Sequence, residues 1–166
     1  FTPPLEDVFG IFKYVKLSDI KVVMIGDMPY KNIRDVSDID FGTRNSSPPL
    51  LLERIYKNLE NTVVPFQRPY NHHLDKWLAN GIFLCNFCFT RTIADSLPYH
   101  YHLLWEPFIN NLVQYISNDH PVVFMLFGSK AISVRKSINE IKSSVVEAPH
   151  PIYEYDKFKN SKCFCK

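Results

Sequence analysis

Four short segments carry the side chains best suited to chemistry. Gly26-Asp27-Met28 sets a carboxylate beside a thioether. Asn86 offers an amide, Gly128-Ser129 opens a helix, and His150, ahead of Pro151, offers an imidazole. Carboxylate and imidazole are common acid–base groups. The backbone N–H groups of a helix start such as Gly128-Ser129 can hold a phosphate, although the same pattern also serves as a plain N-cap. Cys85-x-x-Cys88 with Cys163-x-Cys165 brings four sulfurs that zinc or an iron–sulfur cluster would require. Cys85 and Cys88, however, fall in an apolar run where their side chains point to different faces. No metal and no cofactor is therefore expected.

These segments must be positioned by the elements around them. Lys21-Val22-Val23-Met24-Ile25, Ile82 to Phe89, Pro121 to Phe127 and Ser144-Val145-Val146-Glu147 read as short strands. Their apolar character is nearly continuous, as in a parallel sheet covered on both faces. Helices are predicted around Leu5, Val8, Phe9 and Phe12, around Leu52, Ile55, Tyr56 and Leu59, and from Leu104 to Ile116. A further helix after Gly128-Ser129 should turn Ile132, Ile138 and Ile141 inward. Lys31 to Pro49 and Val63 to His73 read as loops. The fold class is α/β: a three-layer α/β/α sandwich with a central four-stranded parallel sheet. In such sheets ligands bind beyond the carboxyl ends of the strands, and that edge is where Asp27, Asn86, Gly128 and His150 fall.

The 166 residues suffice for a single domain, 1–166, with a substantial core. Hydrophobic residues at 46% and charged residues at 22% are ordinary for a globular chain, whereas 14% aromatics can also present ring faces to a ligand. A net charge of +2 does not by itself mark a nucleic-acid binder. Lys157, Lys159, Lys162 and Lys166 read as a solvated, frayed tail. No apolar run reaches the length of a membrane span and no signal peptide is visible. An intracellular location is expected: the nucleus for a eukaryotic or viral protein, otherwise the cytoplasm.

Five motifs, in order, resemble the uracil-DNA glycosylase family in its uracil-specific branch. The family's Gly-Gln-Asp-Pro-Tyr-His loop is matched by Gly26-Asp27-Met28-Pro29-Tyr30-Lys31. Its proline-rich helix start is matched by Ser47-Pro48-Pro49-Leu50-Leu51-Leu52. Its base-reading strand is matched by Phe83-Leu84-Cys85-Asn86-Phe87-Cys88-Phe89-Thr90. Phe127-Gly128-Ser129 corresponds to the phosphate loop and His150-Pro151-Ile152-Tyr153-Glu154 to the His-Pro-Ser-Pro-Leu loop. The resemblance runs from Phe1-Thr2-Pro3-Pro4 to Cys163-Phe164, and the family's outermost helices have no counterpart in it.

The resemblance implies a role for each position. Uracil is swung out of the DNA stack before its bond to deoxyribose is cut. Asn86 would read the uracil edge, Phe41 would stack on its face, and Tyr30 would block a thymine methyl. His150 would donate to the base as negative charge develops, as donors do in an oxyanion hole. Gly128 and Ser129 would hold a DNA phosphate. Met28 stands against the substrate where the family has its water-orienting Asp, and a thioether can neither orient water as a base nor stabilise a sugar cation. Asp27 is the neighbouring carboxylate, but adjacent residues of an extended segment face opposite ways, so it would need a changed loop. Ile152 replaces a phosphate-binding Ser, Glu154 the duplex-wedging Leu, Leu51 a helix-start Ser, and Lys31 a His.

The implied activity is hydrolytic release of uracil from DNA in base excision repair, weakened by Met28. The alternative is a glycosylase-fold module that binds DNA or protein without catalysis. The expected partners are uracil-containing DNA, single-stranded rather than duplex because of Glu154, and a replication or repair protein, with the chain itself a monomer.

Overall fold

The computed structural model describes residues 1–93 and 98–165, and of residues 98–100 the backbone alone. Four parallel strands form one sheet in the order β2-β1-β3-β4: β1 Val22–Gly26, β2 Ile82–Asn86, β3 Val123–Phe127 and β4 Ser144–Ala148. The register pairs Gly26 with Asn86 and Phe127 with Ala148, so the strands end together at one edge. β2 is shorter than the sequence predicts, because Phe87-Cys88-Phe89 leave the strand while remaining buried.

Both faces of the sheet are covered. Phe83 meets Phe12 at 5.3 Å between ring centroids, and Phe9 meets Phe108 at 5.7 Å. The amino-terminal turns and α3, Pro98–Asp119, thus pack on the face that Phe83 presents. On the other face Phe127 meets Phe158 at 6.2 Å. Phe158 belongs to α5, Tyr155–Lys159, which packs against α1, Leu50–Thr62. Buried Asn58 of α1 ties these two helices by donating to the carbonyls of Phe158 and Ser161. α1 begins directly after Pro48-Pro49 and buries Leu52, Ile55, Tyr56 and Leu59, as its spacing predicts.

Several predicted elements differ. The amino-terminal helix is two 3₁₀ turns, Leu5–Asp7 and Gly10–Lys13. The segment after β3 is a five-residue helix, α4 Gly128–Ile132, followed by a 3₁₀ turn, Ser133–Ser137. Ile138 is buried, but Ile141 points to solvent at 97% exposure, because the helix has ended before it. Leu104 of α3 is likewise exposed. A short helix, α2 Asp75–Ala79, is unpredicted. The basic tail is folded rather than frayed: Lys157 pairs with Glu154 and Lys159 with Asp156. Phe158 and Cys163 beneath them are buried, and Lys166 lies outside the described residues. No helix among the described residues is long and apolar enough to cross a membrane.

Candidate active site

The strand ends and the loops that follow them bring the predicted residues to one edge. After β1 the backbone continues in register, with Phe87 N donating to Gly26 O and Cys88 N to Asp27 O, each at 2.9 Å. This pairing fixes the start of the loop. Asp27 and Met28 then both line an open cleft of about 350 Å³ with Tyr30, Arg91, His150 and Tyr153. The chain bends at Asp27 and Met28, so both residues border the cleft, while Oδ1 of Asp27 is turned to α3.

Asp27 is held by a residue the sequence reading did not single out. His102 of α3 is buried, and its Nε2 lies 2.7 Å from Asp27 Oδ1. Nδ1 of the same ring has no hydrogen-bond partner among the described residues. A proton on Nε2, donated to the carboxylate, suits both facts. No sequence signal pointed to His102, since only tertiary packing brings α3 over the loop.

His150 is buried at the end of the β4 loop. Its Nδ1 accepts from Ile152 N at 3.0 Å and Tyr153 N at 3.3 Å. An acceptor cannot carry the proton, so the neutral ring holds its hydrogen on Nε2 and is a donor there. Burial lowers the His150 pKa below the ordinary histidine value, and the nearby carboxylates of Asp27 and Glu154 only partly oppose this. Glu154 does not project outward as the wedge position suggests. Its carboxylate accepts from His150 N and pairs with Lys157, closing the loop.

Gly128 explains how His150 comes so close to β3. Its φ is +83°, and a Cβ there would stand 2.9 Å from His150 Cβ. Only glycine meets both conditions without strain. Ser129 is exposed at the helix start.

A small cavity adjoins the cleft and shares Met28, Pro29, Tyr30 and Leu51 with it. Met28, Tyr30, Asp40, Phe41 and Asn86 line it. Tyr30 is held there by its hydroxyl, which donates to Phe41 O at 2.6 Å; burial pushes that phenol well above its ordinary range. Phe41 has φ +66° and sets its ring edge-on to Phe127 at 6.1 Å. Asn86 closes the end of β2. It makes two bonds to Asp40, from its backbone N to Oδ2 at 2.9 Å and from its side-chain Nδ2 to Oδ1. Asp40 is another residue the sequence reading passed over, in a loop without periodicity. Burial of its carboxyl pushes it up to about 7, against the lowering effect of the Asn86 bonds.

Cys85 and Cys88 are buried, and burial raises both thiols, Cys88 to about 12. Cys165 donates to Thr62 O at 2.6 Å. Among the described residues no group of three or more His, Cys, Asp or Glu side chains is arranged to hold a metal ion.

No family model matches the chain. It is 36% identical over 152 residues to uracil-DNA glycosylases of Escherichia coli, those of O1:K1 and of O157:H7 strain EC4115 among them, covering 90% of this chain and 66% of each relative. The crystal structure of mimivirus uracil-DNA glycosylase superposes with a TM-score of 0.79 at 25% identity, over 90% of this chain and 56% of that one. The wild-type UNG structure from Nitratifractor salsuginis gives 0.69 at 16% identity, over 98% and 76%, a likeness of fold alone. The chain thus spans just under two thirds of the length of the bacterial relatives it matches. With sheet order, motif order and this identity in agreement, the chain belongs to the uracil-DNA glycosylase family.

Proposed function

We propose that the chain takes uracil out of DNA and hydrolyses its bond to deoxyribose, with Asp27 in the part that Met28 cannot play. The observation that carries this reading is the locked tautomer of His150, whose two backbone bonds to Nδ1 leave Nε2–H as a neutral donor. That donor meets the demand of the reaction. As the bond from C1′ to N1 breaks, its electron pair passes to the base, and Nε2–H stabilises the charge on a base oxygen. Water forms the new bond to C1′ and gives its proton to the Asp27 carboxylate, which also faces the developing sugar cation. Asp27 suits the role because it shares the cleft with His150 and His102 fixes its direction. Tyr30, Phe41 and Asn86 supply the base pocket, and Gly128-Ser129 the DNA phosphate contact.

A second reading, a module that binds DNA or protein without catalysis, is favoured by Met28 itself. The deciding experiment is base release from a uracil-containing single strand. Asp27→Asn is expected to lower the rate by ~10²–10⁴-fold, the usual worth of an acid–base group. Met28→Asp is expected to raise it by at least tenfold. No release from the wild-type chain or from Met28→Asp, with DNA still bound, would overturn the hydrolytic reading in favour of the binding module.

A further inference from the structure

Asp40 is the one charged side chain lining the small cavity among the described residues. Both its oxygens face Asn86: one takes the backbone N–H, the other the side-chain amide. The amide of Asn86 is the group that would donate to a carbonyl on the edge of a bound base. An Asp40 oxygen therefore stands where that carbonyl oxygen would accept. The cavity that remains is about 20 Å³, room for about one water and not for a pyrimidine ring. A bond to an ionised acceptor is about twice as strong as one to a neutral carbonyl, so the carboxylate is a strong competitor.

We propose that Asp40 is a specificity-determining residue of the base pocket, competing with the carbonyl edge of uracil for the Asn86 amide, so that uracil enters only by displacing the Asp40 carboxylate. This deepens the reading of the pocket as a uracil site and rests on it. A base edge that presents an amino donor meets no such competition, because the carboxylate can accept from it. Asp40 thus narrows the discrimination between carbonyl and amino edges that Asn86 alone would give.

The competition depends on charge. A protonated Asp40 is a weaker acceptor and releases Asn86 more readily. The other titratable groups around it are Tyr30 from the loop after β1, Cys85 of β2 and Cys88 just beyond it, and burial raises all three. They stay neutral through the neutral pH range. His150, which lines the adjoining cleft and not the cavity, has its pKa lowered by burial and stays neutral there. Asp40, at about 7, is the group whose charge changes.

The test is calorimetric titration of the whole chain with free uracil and free cytosine, between about pH 6.5 and 8. At the upper end Asp40→Ala is expected to bind uracil at least ~10-fold tighter than wild type. The wild-type affinity for uracil should rise as pH falls, while Asp40→Asn, of the same size but uncharged, should show no such slope. Uracil affinity in Asp40→Ala equal to or below wild type would overturn the proposal, as would a flat wild-type profile. Thermal melts of both variants show whether each is folded, and Asp40→Asn carries the test if Asp40→Ala is not. Binding of the free base needs no bond cleavage. A gain in affinity without base release leaves this proposal standing and removes the hydrolytic reading; release without the gain does the reverse. Absence of uracil binding by all three folded proteins overturns both.

Discussion

An ordinary aspartate gives up its proton near 3.8, whereas burial holds the Asp40 carboxyl up to about 7. Between those values the folded chain keeps a proton that the unfolded chain has lost. Stability falls with rising pH wherever the native state binds more protons. The stabilisation from protonated Asp40 is therefore complete below about 3.8, drains away as pH rises to about 7, and is flat above. Asp40→Asn cannot ionise and should lose that slope. Its melting temperature is expected to exceed wild type by up to roughly 9–17 °C at about pH 8 and to match it at about pH 4. Thermal melts at the two pH values check this, and an equal shift at both would show that charge is not the cause. The carboxylate thus costs the protein stability in the range where it also holds Asn86, and sites that trade stability for a poised group are commonly functional ones.

The elements divide into those legible in the sequence and those that only packing makes. Strands β1, β2 and β3 were legible because burial on both faces forces unbroken apolar runs such as Val22 to Ile25 and Val123 to Phe127, whereas the edge strand β4, with Ser144 and Glu147 exposed, showed only through Val145-Val146. Helix α1 was legible because thirteen residues leave room for a full stripe. Elements of three to five residues write no stripe: α2, α4, α5 and the amino-terminal 3₁₀ turns are held by the core they touch, and Ile141 was assigned inward on a periodicity that α4 does not live long enough to continue. The site divides in the same way. Asn86, Gly128 and His150 sit at strand ends, where order along the chain places them. Asp40 and His102 reach the site from a loop and from a distant helix, and only the tertiary fold says so. Gly128→Ala tests whether the α4 start positions His150. Its φ of +83° strains any side chain, and the new Cβ would press on the His150 ring. Stability is expected to drop by about 1–3 kcal/mol and kcat for uracil release to fall ~10–10²-fold as the imidazole is displaced. A lower melting temperature with unchanged kcat would reduce Gly128 to a packing residue.

On the scale of the whole molecule, the surface around the site is poorly equipped for electrostatic capture of DNA. The net charge is +2, and the cleft sets Lys31 and Arg91 beside Asp27 and Asp35. Arg91 spends one guanidinium hydrogen bond on Pro29 O at 3.3 Å, bracing the loop. With only two or three phosphates neutralised, affinity for a single strand should fall by only about tenfold between 50 and 200 mM salt. What the surface offers instead is a ring. Tyr153 is 73% exposed at the rim of the cleft and lies 4.5 Å from His150, centroid to centroid. An exposed ring beside the proposed base pocket would act as a stacking platform, worth about 1–3 kcal/mol per base and tolerant of sequence. Tyr153→Ala is accordingly expected to weaken single-strand binding ~5–140-fold, which is that range expressed as an affinity ratio. Duplex binding should change less, because paired bases keep their faces in the helix. Fluorescence anisotropy with both substrates separates the two. An equal loss on single strand and duplex would mean that Tyr153 acts through the His150 loop it packs on, and the affinity of this surface would then have to come from charge after all.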